Sequence, residues 1–335
     1  MLAAQTSRQT PFAIGLVVAL FSAATFGSSG TFGTALMATG WSPGAVVTAR
    51  ITGAALIILV PAVLSMRGQW HLMRRNLGRV LAYGLCAVAG CQFAFFMAVD
   101  HLSVGVALLL EYLAPVLIVG WLWARHGRRP SPLTTIGVVA AVFGLVLVLD
   151  VASGARVDVV GVLWGMLAAV GLVIFFLLAA QEDEALPPLG FAGAGLGIGA
   201  LSLLLTAGLG WLPMSVSTQP VQLAGWSVPW WAAILELALV AGAFSYASGI
   251  AAARLLGGTV ASFVGLSEVL FAIIIAWVLV GEAMSPVQIL GGVAILAGVV
   301  AVKLGEGASA APEALPADDV DPAVLAGFGA TDPVH

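Results

Sequence analysis

Two carboxylates sit inside long, mostly apolar stretches of sequence. Glu111 lies within HLSVGVALLLEYLAPVLIVGWLWAR, and Glu268 within ASFVGLSEVLFAIIIAWVLV. A charge in the middle of an apolar segment is costly, by about 2.5–3.5 kcal/mol on insertion scales and more by other estimates. A carboxylate kept there has two readings. It is neutral and hydrogen-bonded inside a helix contact, or it binds a cationic group or carries a proton. Pro115 follows Glu111 by one helical turn and removes a backbone hydrogen bond, so it kinks the helix or unwinds it and exposes carbonyls. Arg50 and Glu236 form a second candidate set, a buried ion pair, each about seven residues or ~10 Å into its own apolar segment. Arg50 snorkelling to the surface is the alternative. Thr25 and Ser28, in a run of small residues, and Gln92, Tyr112, Trp164, Ser245 and Tyr246 either line a solute pathway or seal helix contacts.

These residues need a membrane around them, and the composition supplies the case for one. Of 335 residues, 61% are hydrophobic and 8% are charged. Soluble domains average about 25% charged. A soluble core could not hide so much apolar surface, so the bilayer is the solvent for most of the chain. Apolar segments fall at about 12–35, 43–65, 77–99, 103–124, 133–152, 158–180, 189–212, 228–252, 258–281 and 286–304. Each is near the ~20 residues a helix needs to cross ~30 Å of hydrocarbon. The expected fold is an all-α polytopic membrane protein with ten transmembrane helices.

Ten spans put both termini on one side. With the N-terminus inside, Arg8, Arg67, Arg74, Arg75, Arg79, Arg125, Arg128, Arg129, Arg254 and Lys303 are inside, and Arg156 alone is outside. That asymmetry gives cytoplasmic termini. Residues 1–11 read as a polar cytoplasmic N-terminus. Residues 305–335, rich in Ala, Pro and Asp, read as a disordered cytoplasmic tail. Trp226, Trp230 and Trp231 read as interfacial anchors.

A shift of 154 residues lays the Glu111 segment on the Glu268 segment. Ala107 meets Ala261, Trp123 meets Trp277, Ser131-Pro132 meets Ser285-Pro286, Gly137 meets Gly291 and Gly144 meets Gly298. The Ser-Pro pairs read as helix starts, serine capping and proline in the first turn. The halves are 12–152 and 158–304. Five spans each means that the second half enters the membrane from the opposite side. Inverted repeats mark secondary transporters, with the solute near the midplane between the halves. Under the shift Glu268 lands on Ala114, three residues from Glu111 and on the same helical face. Each carboxylate is ~12–15 Å deep by helical rise.

The ten-span pattern, VGVALLLEYLAP at Val104–Pro115, and S-E-V…W-x-L-x-G-E-x-x-S-P-x-Q-x-x-G-G from Ser267 to Gly292 resemble the EamA family of the drug/metabolite transporter superfamily. The resemblance covers nearly the whole chain except the tail. Val104–Pro115 looks most like the amino-acid exporter branch, such as threonine/homoserine exporters. It implies movement of small metabolites across the inner membrane through a central cavity. Two departures stand out. Gly127-Arg128-Arg129 stands where many members carry Gly-Glu, which the second half keeps as Gly281-Glu282. Val269 stands where many members have proline.

Other classes find little support. His71, His101, His126 and His335 have no metal-ligand spacing, and no phosphate loop is present, so no enzyme, cofactor or metal is expected. Six of the sixteen acids lie in the tail, which empties the net charge of −4 of meaning for partners, and no basic patch suits nucleic acid. Cys86 and Cys91 are five apart on one helix, too far for a disulfide. The expectation is a secondary transporter exporting small metabolites by alternating access, with proton coupling, acting as a monomer or homodimer in contact with its solute and the lipid. Efflux of toxic organic compounds and a non-transporting scaffold or receptor subunit are the alternatives.

Overall fold

The computed structural model describes residues 2–126, 131–149, 158–179, 186–256 and 258–309. In chain order the helices are α1 (Leu2–Met37), α2 (Pro43–Ser65), α3 (Trp70–Arg75), α4 (Leu77–Ala82), α5 (Cys91–His101), α6 (Val104–Glu111), α7 (Ala114–His126), α8 (Pro132–Val148), α9 (Val159–Ala179), α10 (Pro188–Gly208), α11 (Trp230–Leu235), α12 (Ser245–Leu256), α13 (Gly258–Gly265), α14 (Ser267–Val280) and α15 (Pro286–Ser309). Two π-helical stretches, Tyr83–Gly90 and Glu236–Phe244, join α4 to α5 and α11 to α12. An antiparallel hairpin, β1 (Val221–Leu223) and β2 (Trp226–Val228), lies between α10 and α11.

The protein is mostly helical. Among the described residues, eight helical stretches are long and apolar enough to cross a bilayer, and Pro132–Val148 and Val159–Phe175 are apolar but shorter. The 17 residues of α8 span about 25 Å at 1.5 Å per residue, short of ~30 Å of hydrocarbon. The all-helical expectation needs correcting at the hairpin, where Ala224 and Gly225 take positive φ angles of 51° and 79°. Residues 2–11 continue α1 as helix, and α15 runs on to Ser309. Residues 310–335, Gly127, Arg128, Arg129, Arg156 and the Glu182–Glu184 stretch lie outside the described residues.

Local chemistry sets the helix starts. Ser42 accepts from the Ala45 N–H (3.2 Å) ahead of Pro43, and Ser131 accepts from the Thr134 N–H (3.1 Å) ahead of Pro132. Ser285 and Gln288 bond each other's backbone N–H groups (3.2 and 3.0 Å), a reciprocal box at the start of α15. Asp158 accepts from the Gly161 N–H (3.0 Å), which, with a weaker contribution from His101, holds its carboxyl below the ordinary range.

The repeat is visible as packing. α8 and α15 lie face to face, with Gly137 against Gly298 and Gly144 against Gly291. A Cβ at Gly137 would sit 2.5 Å from the Gly298 carbonyl oxygen, and one at Gly144 2.5 Å from that of Gly291. Rising numbers on one helix meet falling numbers on the other, so the helices are antiparallel. Each glycine touches the partner of the other, which is the self-complementary contact of a two-fold axis. Only residues without a side chain allow backbones this close.

Gly144→Leu and Gly298→Leu are therefore expected to destabilise the purified protein by about 1–3 kcal/mol or more, as overpacking does. Gly120→Ala, with nothing within 4 Å of its Cβ position, is the control. Thermal unfolding in detergent reads the difference, and equal midpoints for all three variants would contradict the close contact.

Candidate functional site

Both carboxylate-bearing segments are broken helices, and the breaks are equivalent under the repeat. α6 ends at Glu111 and α7 begins at Ala114, while α13 ends at Gly265 and α14 begins at Ser267. Moved by 154 residues, Glu111 falls on Gly265 and Ala114 on Glu268. Pro115 explains the first break, because it lacks the N–H that the Glu111 carbonyl would accept in a continuous helix. The second break has Val269 at that place and forms without a proline. Tighter bonds mark both, Leu113 N–H to the Leu110 carbonyl (3.1 Å) and Leu266 N–H to the Phe263 carbonyl (3.2 Å).

The breaks put the carboxylates at opposite kinds of helix end. Glu111 is the last residue of α6, the negative end of its dipole. Glu268 is in the first turn of α14, the positive end. Both line a cavity of about 20 Å³ together with Arg50, Gln92, Phe26 and Phe95. That is room for about one water molecule. The walls come from α1, α2, α5 and α6 in the first half and α14 in the second, so the cavity lies between the halves.

Each charged group has partners. Glu111 accepts from the Cys91 thiol (3.4 Å), which also meets the Ala168 carbonyl (3.3 Å). Glu268 accepts from the Tyr112 hydroxyl (2.9 Å). Arg50 is fully buried, 1% exposed. Its guanidinium donates to the Gln92 side chain and to the Ala241 carbonyl (2.9 Å). It also lies over the rings of Phe26 and Phe96, 6.0 and 5.8 Å from their centroids. Snorkelling is thus not what this arginine does.

The expected Arg50–Glu236 pair takes a different form. α2 packs against the π-helical stretch that carries Glu236, and the two groups are within electrostatic reach. No direct bond joins them. Glu236 instead accepts from Ser28 (2.5 Å), and Arg50 Nε and Glu236 Oε2 are buried without partners. Gln92 is the nearer acceptor and takes the guanidinium.

The remaining candidates divide. Thr25 bonds the Phe21 and Ser22 carbonyls of its own helix, and Ser245 bonds those of Ala241 and Gly242. Tyr246 packs edge-on against Phe26 at 4.9 Å, and Trp164 against Phe93 at 5.6 Å. None of these four lines the cavity. Cys91 was read only as too far from Cys86 to form a disulfide, and Phe26 and Phe95 went unread in the sequence. A signal existed for part of this: the 154-residue shift lays Cys91-Gln92 on Ser245-Tyr246, and it lays one π-helical stretch on the other. A second, open pocket of about 590 Å³ includes Thr34, Gln222 and Glu282. Glu282 accepts from the Val104 N–H (3.0 Å), capping α6. Val104 also lines the central cavity, so its bond to Glu282 links the walls of the two spaces.

Arg50→Lys keeps the charge but loses the fork that reaches Gln92 and Ala241 together. We expect a loss of about 1.5–3 kcal/mol, the range for one hydrogen bond to a charged group. A chemical-denaturation midpoint equal to that of the parent protein would show that the guanidinium does not hold α2 in place.

Comparison with known proteins agrees with this architecture. A solved crystal structure superposes with a TM-score of 0.57 at 18% identity, covering 88% of this chain and 99% of that one, a likeness of fold. The uncharacterized inner membrane transporter YicL of Salmonella typhimurium (strain LT2) is 20% identical over 295 residues, 87% of this chain and 95% of that protein. The sequence model of the EamA-like transporter family matches residues 13–150 and 159–304, one stretch in each half. Matched through both halves, this membrane protein belongs to the EamA-like transporter family.

Proposed function

We propose that the chain exports small metabolites, amino acids or related compounds, across the inner membrane by alternating access, with both termini cytoplasmic and ten spans in two inverted sets of five. The observation that carries the reading is the convergence of Glu111, Glu268 and Arg50 on one cavity between the halves, at two broken helices. Inverted-repeat carriers hold solutes at such breaks, where helix ends and free backbone groups face the ligand. In this reading Glu111 and Glu268 bind a cationic group or carry a proton, and Arg50 faces an anionic one. The cavity has room for about one water. It must widen toward one face for a solute to enter, and the Val104 turn, held by Glu282, links its wall to that of the larger pocket.

The aromatic faces of Phe26 and Phe95 favour a second reading, efflux of a toxic organic compound. Comparison of solutes in the medium of overexpressing and deleted cells, followed by flux of the best hit in liposomes, separates the two. Saturation and trans-stimulation identify a carrier rather than a channel, and absence of any flux leaves the scaffold reading.

Glu111→Gln and Glu268→Gln are each expected to cut net export at least tenfold while leaving the protein folded. Wild-type export by both variants across external pH would remove the carboxylates from the mechanism.

A further inference from the structure

One phenolic proton faces two acceptors at the junction of the halves. The Tyr112 hydroxyl lies 2.9 Å from Glu268 Oε2 and 3.2 Å from the Gly265 carbonyl oxygen. Tyrosine has a single O–H to give. Tyr112 is also the residue after Glu111, in the break between α6 and α7, and Gly265 is the last residue of α13. The side chain therefore ties the break of one half to the break of the other.

We infer that Tyr112 is a positioning residue that reads the protonation of Glu268 by reversing a hydrogen bond. The inference rests on the assignment of Glu268 to proton or cation binding. With Glu268 ionised, the phenol donates to Oε2, and the Gly265 carbonyl goes without that donor. When Glu268 takes up one proton from the bulk solvent, its own O–H donates to the phenolic oxygen. The phenolic proton then turns to the Gly265 carbonyl. One proton enters, no bond to carbon changes, and all three groups stay partnered in the protonated state. The reversal changes what Tyr112 pulls on, from the start of α14 to the end of α13, and Glu111 sits one residue away. Among the described residues, the other ionisable groups in this surround are Glu111 on α6, Arg50 on α2, Cys91 on α5 and Tyr246 on α12, with Lys303 on α15 over the Phe263 ring of α13.

Protons alone are a sufficient probe, so no solute need be known. The full chain in lipid nanodiscs is titrated across roughly pH 4 to 10, and the protonated-carboxyl infrared band is followed, with Glu268→Gln identifying the Glu268 component. Tyr112→Phe removes the donor and keeps the ring. It is expected to move the midpoint of that component by about one pH unit toward alkaline pH, the equivalent of one hydrogen bond to a charged group. A fluorinated tyrosine placed at 112, a stronger donor, is expected to move it the other way and serves if the phenylalanine variant does not fold. An unmoved midpoint, or no titrating Glu268 component in the parent protein, overturns the switch. A moved midpoint in a protein whose Glu268→Gln variant exports normally would instead sink the transport role and leave the switch standing.

Discussion

Everything in the interior depends on keeping Arg50 solvated by protein. A guanidinium with 1% exposure in a bundle surrounded by hydrocarbon has no water to fall back on. The chain answers with a side-chain amide from α5, a carbonyl from the π-helical stretch of the second half and two aromatic faces from α1 and α5. These partners lie on three elements, so satisfying one charge fixes α2 against α1, α5 and Glu236–Phe244. The Ala241 carbonyl is offered from irregular helix. A π-helical turn loosens the regular ladder and often marks functional segments. The equivalent stretch, Tyr83–Gly90, leads directly into Cys91 and Gln92, the partners of Glu111 and Arg50. Both irregular stretches thus deliver polar groups to the same centre.

The two-fold relation does the rest of the positioning. α8 and α15 meet at glycines, and their close contact anchors the pseudo-symmetry axis. Each is joined by a short connection to a broken helix, α7 on one side and α14 on the other. The breaks therefore inherit the symmetry. Small residues in α1 finish the arrangement: a Cβ at Gly27 would lie 2.9 Å from the Glu268 carbonyl oxygen. The small-residue run in α1 is packing there, and it is what lets α14 come close enough for Glu268 to reach the cavity.

Much of this was legible in the sequence, and the parts that were not have a common cause. The cost of a carboxylate in an apolar segment singled out Glu111 and Glu268, and the 154-residue shift brought them together without coordinates. The Ser-Pro pairs located the starts of α8 and α15. Partner choice was not legible. Arg50 and Glu236 stand at similar depth, which made them natural partners, yet depth does not report which way a side chain points around its helix. Gln92 took the guanidinium and Ser28 the carboxylate. The break at Leu266 was hidden for another reason. Proline signals one route to a broken helix, and Gly258–Gly265 ends by another, with no proline to announce it. The hairpin at Val221–Val228 was also missed, although Ala224-Gly225 occupies its turn.

The symmetry also explains why the two carboxylates are not duplicates. Under the repeat, Glu111 corresponds to Gly265 and Glu268 to Ala114, so one half places its acid before its break and the other after. An acid before a break sits on a helix C-terminus, whose dipole is complemented by a cation. An acid after a break sits on a helix N-terminus, whose free N–H groups complement a carboxylate directly. A site built from inverted halves would otherwise present two like ends to a solute. Shifting one acid by three residues, across the break, ends that equality while leaving both acids on the cavity wall. The cavity gains a direction, with Glu111 and the Cys91 thiol at one helix end and Glu268 with the Tyr112 hydroxyl at the other.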